Sequence, residues 1–106
     1  HLDWNEQARP AHQGAFAKLE VSKQVIDEGF TDSFRYLYPD VLLNQGATWS
    51  PLINLGAKKI SCLPQRIDYI YYKGDKLIPY HSEALTHHPV GWPSDHGSVV
   101  TSFYLK

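Results

Sequence analysis

The chain contains no methionine and a single cysteine, Cys62, in 106 residues. A lone cysteine closes no disulfide within the chain and lacks the companion thiols of a structural zinc site. Cysteine chemistry therefore neither staples this fold nor identifies its compartment, for which a secreted or periplasmic setting is the expectation. Long apolar runs are missing too: nothing approaches the roughly 20 consecutive apolar residues that span a bilayer, and no charged head followed by an apolar stretch marks a secretory leader. An excess of one charge is also lacking. Ten Lys and Arg stand against eleven Asp and Glu, a formal charge of -1, so no basic field gathers duplex nucleic acid nonspecifically. Repeats and low-complexity tracts are absent. These absences leave a soluble globular chain of one domain at most, long enough to bury only a modest core. The start at His1 and the lack of methionine suggest a processed product, a proteolytic fragment or one part of a larger enzyme.

Residues through about Ala17 carry Pro10, Gly14 and scattered polar groups, which predicts loop. Leu19, Val21, Val25 and Ile26 then recur at helical spacing, so residues 20 to 28 are expected to form an amphipathic helix closed by Gly29. Thr31-Asp32-Ser33 can cap a second short helical turn through Phe34, Tyr36 and Leu37 that ends at Pro39. Residues 40 to 46 read as loop, Thr48-Trp49-Ser50 is β-prone and stops at Pro51, and a long irregular connection follows to Pro64. Ile67 through Tyr72, nearly all β-branched or aromatic, predict a strand, with a turn at Lys73-Gly74-Asp75-Lys76. Leu77 to Leu85 reads as a weaker strand broken by Pro79, residues 86 to 97 as loop, and Ser98 to Leu105 as a final strand. Helix early and strands late, without strand–helix alternation after residue 40, predict an α/β sandwich with mostly antiparallel sheet and one or two helices. So few elements would leave one sheet face uncovered, which points to a partner segment.

Two segments carry acidic residues that apolar packing alone would not select. Asp68 interrupts the apolar run Arg66-Ile67-Asp68-Tyr69-Ile70, and Asp95 precedes His96 in Pro93-Ser94-Asp95-His96-Gly97. A carboxylate accepting a hydrogen bond from one imidazole nitrogen fixes the tautomer and frees the other nitrogen for substrate. Asp68 is the candidate partner of His96, while Asp95 can offer oxygen to a hard cation such as Mg2+ or Mn2+. The competing structural readings are a salt bridge from Asp68 to Arg66 or Lys73, and a polar turn in which Asp95 bonds local amides. Trp49 can line a substrate cleft, or simply pack. His87 and His88, adjacent in a loop, are candidate ligands more simply explained as solvated, and Tyr69, Tyr71 and Tyr72 read as sheet packing.

Four motifs, in order along most of the chain, resemble the endonuclease/exonuclease/phosphatase superfamily of metal-dependent, deoxyribonuclease I-like phosphoesterases. They are Gly29-Phe30-Thr31-Asp32-Ser33-Phe34, Thr48-Trp49-Ser50-Pro51, Arg66-Ile67-Asp68-Tyr69-Ile70 and Trp92-Pro93-Ser94-Asp95-His96. The resemblance implies a four-layer α/β/β/α sandwich of which residues 1–106 are the carboxyl-terminal part. It implies that His96 is the catalytic histidine, Asp68 its orienting carboxylate, and Asp95 a metal-site or water-activating carboxylate, with Mg2+ or Mn2+ as cofactor. The family's Gly-Asp-Phe-Asn motif, upstream Asn, metal-binding Glu and mid-chain Tyr or His have no counterpart here and would lie before His1. The expected partners are therefore the missing amino-terminal half of the same enzyme and a phosphoester substrate, whether small molecule, lipid headgroup or nucleic acid. The chain alone is expected to be inactive. The alternative from another class is a noncatalytic scaffold or interaction module that keeps the Asp and His as a structural pair.

Overall fold

In the computed structural model, residues 20–49, 53 and 65–106 are described. The expected loop through Ala17, Cys62 and most of the connection between Pro51 and Pro64 lie outside them. The element order is α1 (Glu20–Asp27), β1 (Thr31–Asp32), α2 (Ser33–Leu37), β2 (Tyr71–Tyr72), β3 (Leu77–Leu85) and β4 (Ser98–Leu105). Strands β1 and β2 pair antiparallel, and so do β3 and β4. The described part of the chain is thus α/β with antiparallel sheet and two helices, as the order of sequence patterns predicts.

The helix α1 ends where expected, the Gly29 amide donating to the Ile26 carbonyl at 2.9 Å. Its Val25 and Ile26 are half-buried, and its buried Ser22 accepts a hydrogen bond from the Tyr71 hydroxyl at 2.9 Å. An exposed pair between Lys23 and Asp27, one helical turn apart, adds at most about 0.5 kcal/mol. The second helix depends on its cap. Asp32 Oδ1 accepts from the amides of Phe34 at 3.1 Å and Arg35 at 3.3 Å, satisfying donors that the first turn leaves without helical partners. At the other end the buried Arg35 guanidinium donates to the carbonyls of Tyr38, Asn44 and Gln45. One side chain thereby fixes the path of the loop through residues 40 to 46.

Phe34 is the apolar centre of this region, with Val41 and Ile53 also buried. Its ring lies 4.9 Å from that of Tyr38, and the guanidinium carbons of Arg35 and Arg66 sit 5.2 Å and 5.1 Å from its centroid. Gly46 closes against the same ring at φ +72, where a Cβ would come within 2.6 Å of Phe34 Cε1. Only glycine fits there without displacing the core.

The hairpin of β3 and β4 runs in register from Leu77 opposite Leu105 to Leu85 opposite Ser98, with a shift between Pro79 and His81. Pro79 was expected to break the strand. Instead the irregularity absorbs it, since a bulge tolerates a residue that has no amide to give the ladder. On the inner face, packed against α2, Ser82, Thr101 and Ser33 join their hydroxyls at 2.8 Å each. Phe103 meets Tyr72 edge-on at 5.3 Å. The outer face leaves Ile78, Tyr80, Leu85, Val100 and Tyr104 exposed, with the Tyr80 and Tyr104 rings 4.2 Å apart.

The run from Ile67 to Tyr72 departs furthest from expectation, since only Tyr71 and Tyr72 join a strand. The preceding backbone groups are taken mainly by side chains rather than by a ladder. Thr48 Oγ1 accepts from the amides of Ile67 and Asp68, Ser33 donates both its amide and its hydroxyl to the Ile70 carbonyl, and the Tyr69 hydroxyl donates to the Arg66 carbonyl. Propensity predicted extended backbone, but pairing went elsewhere.

Arg66 and Asp32 form a buried ion pair, with Nη1 to Oδ2 at 2.5 Å and Nη2 to Oδ1 at 2.6 Å and both side chains nearly fully buried. Removing one partner strands the other charge away from water, a loss of roughly 3–5 kcal/mol. Asp32→Ala is therefore expected to lower the unfolding free energy by that amount in urea titration. Asp32→Asn, which keeps a carbonyl oxygen for the α2 cap, should cost less.

Candidate functional site

The site forms where the segment after Arg66 meets the segment before β4. Arg66 is anchored by Asp32 and stacked over the Tyr69 ring at 4.6 Å. Two residues on, the amide of Asp68 is held by Thr48. The anchoring leaves the Asp68 carboxylate half-exposed and directed to His96, whose Nδ1 lies 2.8 Å from Oδ2. That distance is a short N–H···O hydrogen bond with an ionised acceptor.

His96 is fixed through its own backbone. Its amide donates to Ser94 Oγ at 3.1 Å, and its carbonyl accepts from Trp92 Nε1 at 2.7 Å. The next amide, that of Gly97, donates to the Thr48 carbonyl at 2.6 Å. Trp49 pairs as an isolated antiparallel bridge with both Gln65 and His96. The two chemistry-bearing segments are thus held on either side of Thr48 and Trp49.

The imidazole holds its proton more tightly than a free histidine. Its pKa is raised above 6.5, first by the hydrogen bond to Asp68, against a smaller opposing effect of desolvation, and further by the negative charges of Asp68 and Asp95. Asp95 is exposed beside the ring and acts on it through its field. With Nδ1 committed to Asp68, Nε2 is the ring atom available to a ligand. A half-exposed imidazolium with a fixed orientation can hold an anionic oxygen or deliver a proton.

Of the residues singled out from sequence, Asp68 and His96 are brought together and Asp95 is placed next to them. The salt-bridge reading of Asp68 fails because Arg66 is committed to Asp32 and Asp68 to His96. In the turn before β4 it is Ser94, not Asp95, that takes the His96 amide. Trp49 is half-buried and adjoins His96 through its backbone. His87 and His88 are exposed, and His88 Nδ1 accepts the Val90 amide at 3.2 Å. Tyr69 and Tyr71 stack on each other at 5.6 Å. The supporting roles of Thr48, Ser94, Trp92 and Gly97 were not foreseen. Ser94, two residues before His96, has the spacing of a hydroxyl-to-amide turn, but the bonds to Thr48 join residues far apart in sequence and carry no local signal.

Among the described residues no three His, Cys, Asp or Glu side chains converge as a cation cage. Asp95 is the carboxylate beside His96 that is not engaged with it. A single carboxylate falls well short of the six oxygens that a magnesium ion gathers. The described residues therefore do not complete a divalent-cation site, and what they do complete is the Asp68–His96 pair. No helix among them is long and apolar enough to cross a membrane.

A protein of Caenorhabditis elegans described as uncharacterized is 30% identical over 118 aligned positions, which take in 97% of this chain and 37% of the relative. The chain thus spans little more than a third of the length of the curated relative it matches. No family model matches the chain. No solved structure matches it.

Because the folded pKa of His96 lies above its unfolded value, the pair contributes stability that is fully present below pH 6.5 and is lost as pH rises through the folded pKa. NMR titration of the His96 ring is expected to show a midpoint above 6.5. Asp68→Asn should bring it down toward that value, and an unchanged midpoint would remove Asp68 as the cause.

Proposed function

We propose that this chain is the carboxyl-terminal part of a metal-dependent phosphoesterase of the endonuclease/exonuclease/phosphatase type, within a four-layer sandwich completed by an amino-terminal half. The observation that carries the reading is the 2.8 Å contact between Asp68 and a half-exposed His96. The four motifs of the resemblance support it, since one of them supplies Asp68 and another supplies both His96 and Asp95. The length of the C. elegans relative is in keeping with a chain that functions as part of a larger polypeptide.

In this reading the substrate is a phosphodiester or phosphomonoester and the reaction is hydrolysis. A water oxygen bonds to phosphorus as the bond to the leaving oxygen breaks, the leaving oxygen takes up a proton, and the attacking water loses one. Asp68 keeps the His96 proton on Nδ1 and the ring in one orientation. From Nε2 the protonated ring holds a phosphoryl oxygen as its negative charge grows, a form of stabilisation that needs no reorganisation during the reaction. Asp95 contributes negative charge beside the ring, which keeps His96 protonated closer to neutral pH. In the resemblance Asp95 also binds Mg2+ or Mn2+ or activates water. The other ligands of such an ion would come from upstream residues, and a bound ion would supply Lewis acidity at the phosphate. In this reading Trp49, whose backbone bridges to His96, would line the substrate cleft.

Net charge near neutrality offers little long-range attraction for duplex phosphate. A small phosphoester or a lipid headgroup is accordingly as well suited as nucleic acid. A panel of these substrates with added magnesium separates the classes.

Purified residues 1–106 are expected to show no turnover of bis(p-nitrophenyl) phosphate with magnesium. In the longer natural polypeptide, His96→Ala should lower kcat by about 10³-fold or more and leave the melting temperature nearly unchanged. Retained turnover in that variant would defeat the assignment. Calorimetric titration of magnesium into the same polypeptide discriminates the scaffold reading, which requires no heat of binding.

A further inference from the structure

We propose that Thr48 is a positioning residue that sets the Asp68–His96 pair from both sides. Its side chain is fully buried, and all three of its polar groups face the two segments of the site. Oγ1 accepts from the amides of Ile67 and Asp68, each at 3.2 Å. Its amide donates to the Gln65 carbonyl at 2.9 Å, and its carbonyl accepts from Gly97 at 2.6 Å. The residue that carries the carboxylate and the residue following the histidine therefore hang on one threonine.

A hydroxyl oxygen has two lone pairs, and here both meet amide donors of consecutive residues. An isosteric valine would fill the same space and leave those amides without an acceptor. The segment carrying Asp68 does not pair with a strand until Tyr71, so Thr48 substitutes for the missing ladder at the residue that matters. On the opposite side the close approach depends on Gly97. A Cβ there would come within 2.9 Å of Thr86 Cγ2, 3.0 Å of the Leu85 carbonyl oxygen and 3.5 Å of Thr48 Cα. A larger residue would push the His96 segment off the Thr48 carbonyl. N–H···O bonds lie at donor–acceptor distances of about 2.7–3.2 Å, so a displacement of about half an ångström on either side takes the 2.8 Å pair out of that range.

The role assigned to Thr48 rests on the phosphoesterase reading only in treating the pair as catalytic, and its test is independent of turnover. In the 15N-labelled chain, at a pH where the ring is neutral, two-bond proton–nitrogen correlations report which His96 nitrogen carries the proton. The wild type is expected to show Nδ1–H, and Thr48→Ser, which keeps the hydroxyl, should retain it. Thr48→Val and Gly97→Ala should each lose it and give a tautomer mixture. A folded Thr48→Val variant that keeps the Nδ1–H signature overturns the proposal. If Thr48→Val does not fold, hydrogen exchange in the wild type decides: slow, matched exchange of the Ile67, Asp68 and Gly97 amides supports the bracket, and unprotected amides overturn it. In the longer polypeptide, Thr48→Val should also lower kcat by about 10- to 100-fold with KM little changed. Failure of the His96→Ala test with the tautomer result intact would remove the function and leave the bracket.

Discussion

The carboxylate of Asp32 is the group on which the remaining contacts depend. It caps α2 through the amides of Phe34 and Arg35 and at the same time receives both terminal nitrogens of Arg66. The first role places Phe34 and Ser33, and through Ser33 the inner face of the β3–β4 hairpin. The second places the segment that carries Asp68. Because the pair is buried, neither charge can fall back on water, and a shift of either segment leaves an uncompensated ion. That constraint is what permits a half-exposed carboxylate two residues away to be held in a definite position.

Polar contacts, more than apolar burial, define the geometry of the described region. Phe34, Val41 and Ile53 are its buried apolar side chains, whereas Ser22, Asp32, Ser33, Arg35, Thr48, Arg66 and Ser82 are all buried. Hydrophobic burial is non-directional and would tolerate small displacements. Hydrogen bonds in a poorly hydrated interior do not, since an unmade bond there costs more than a made one contributes. With few buried apolar side chains among the described residues, their positions rest on directional hydrogen bonds. The exposed face of β3 and β4, with Ile78, Tyr80, Val100 and Tyr104, is the apolar counterpart of that arrangement.

Much of this was legible in residues 20 to 39 and 73 to 105. The α1 boundary, the Asp32 cap, the turn at Gly74 and the limits of β4 follow from local rules of periodicity, capping and turn chemistry. The partnership of Asp68 with His96 was expected from residue type. Two expectations failed for an identifiable reason. Ile67 to Ile70 has strand propensity, but Thr48 and Ser33 take its backbone groups, and Pro79 sits at an irregularity that local reading takes for a break. In the first case contacts from distant residues outweighed propensity, and in the second the register shift accommodates a residue without an amide.

Local preferences are written into neighbouring residues, so the sequence by itself determined where helices start, where chains turn and which side chains have titration chemistry to offer. Tertiary structure decided which of those side chains meet. Arg66 had a nearby carboxylate in Asp68 and took Asp32, 34 residues away, because the planar guanidinium finds a bidentate, buried fit there. That choice left Asp68 for His96, across 28 residues, at a distance set by a threonine to which no local pattern assigned a role.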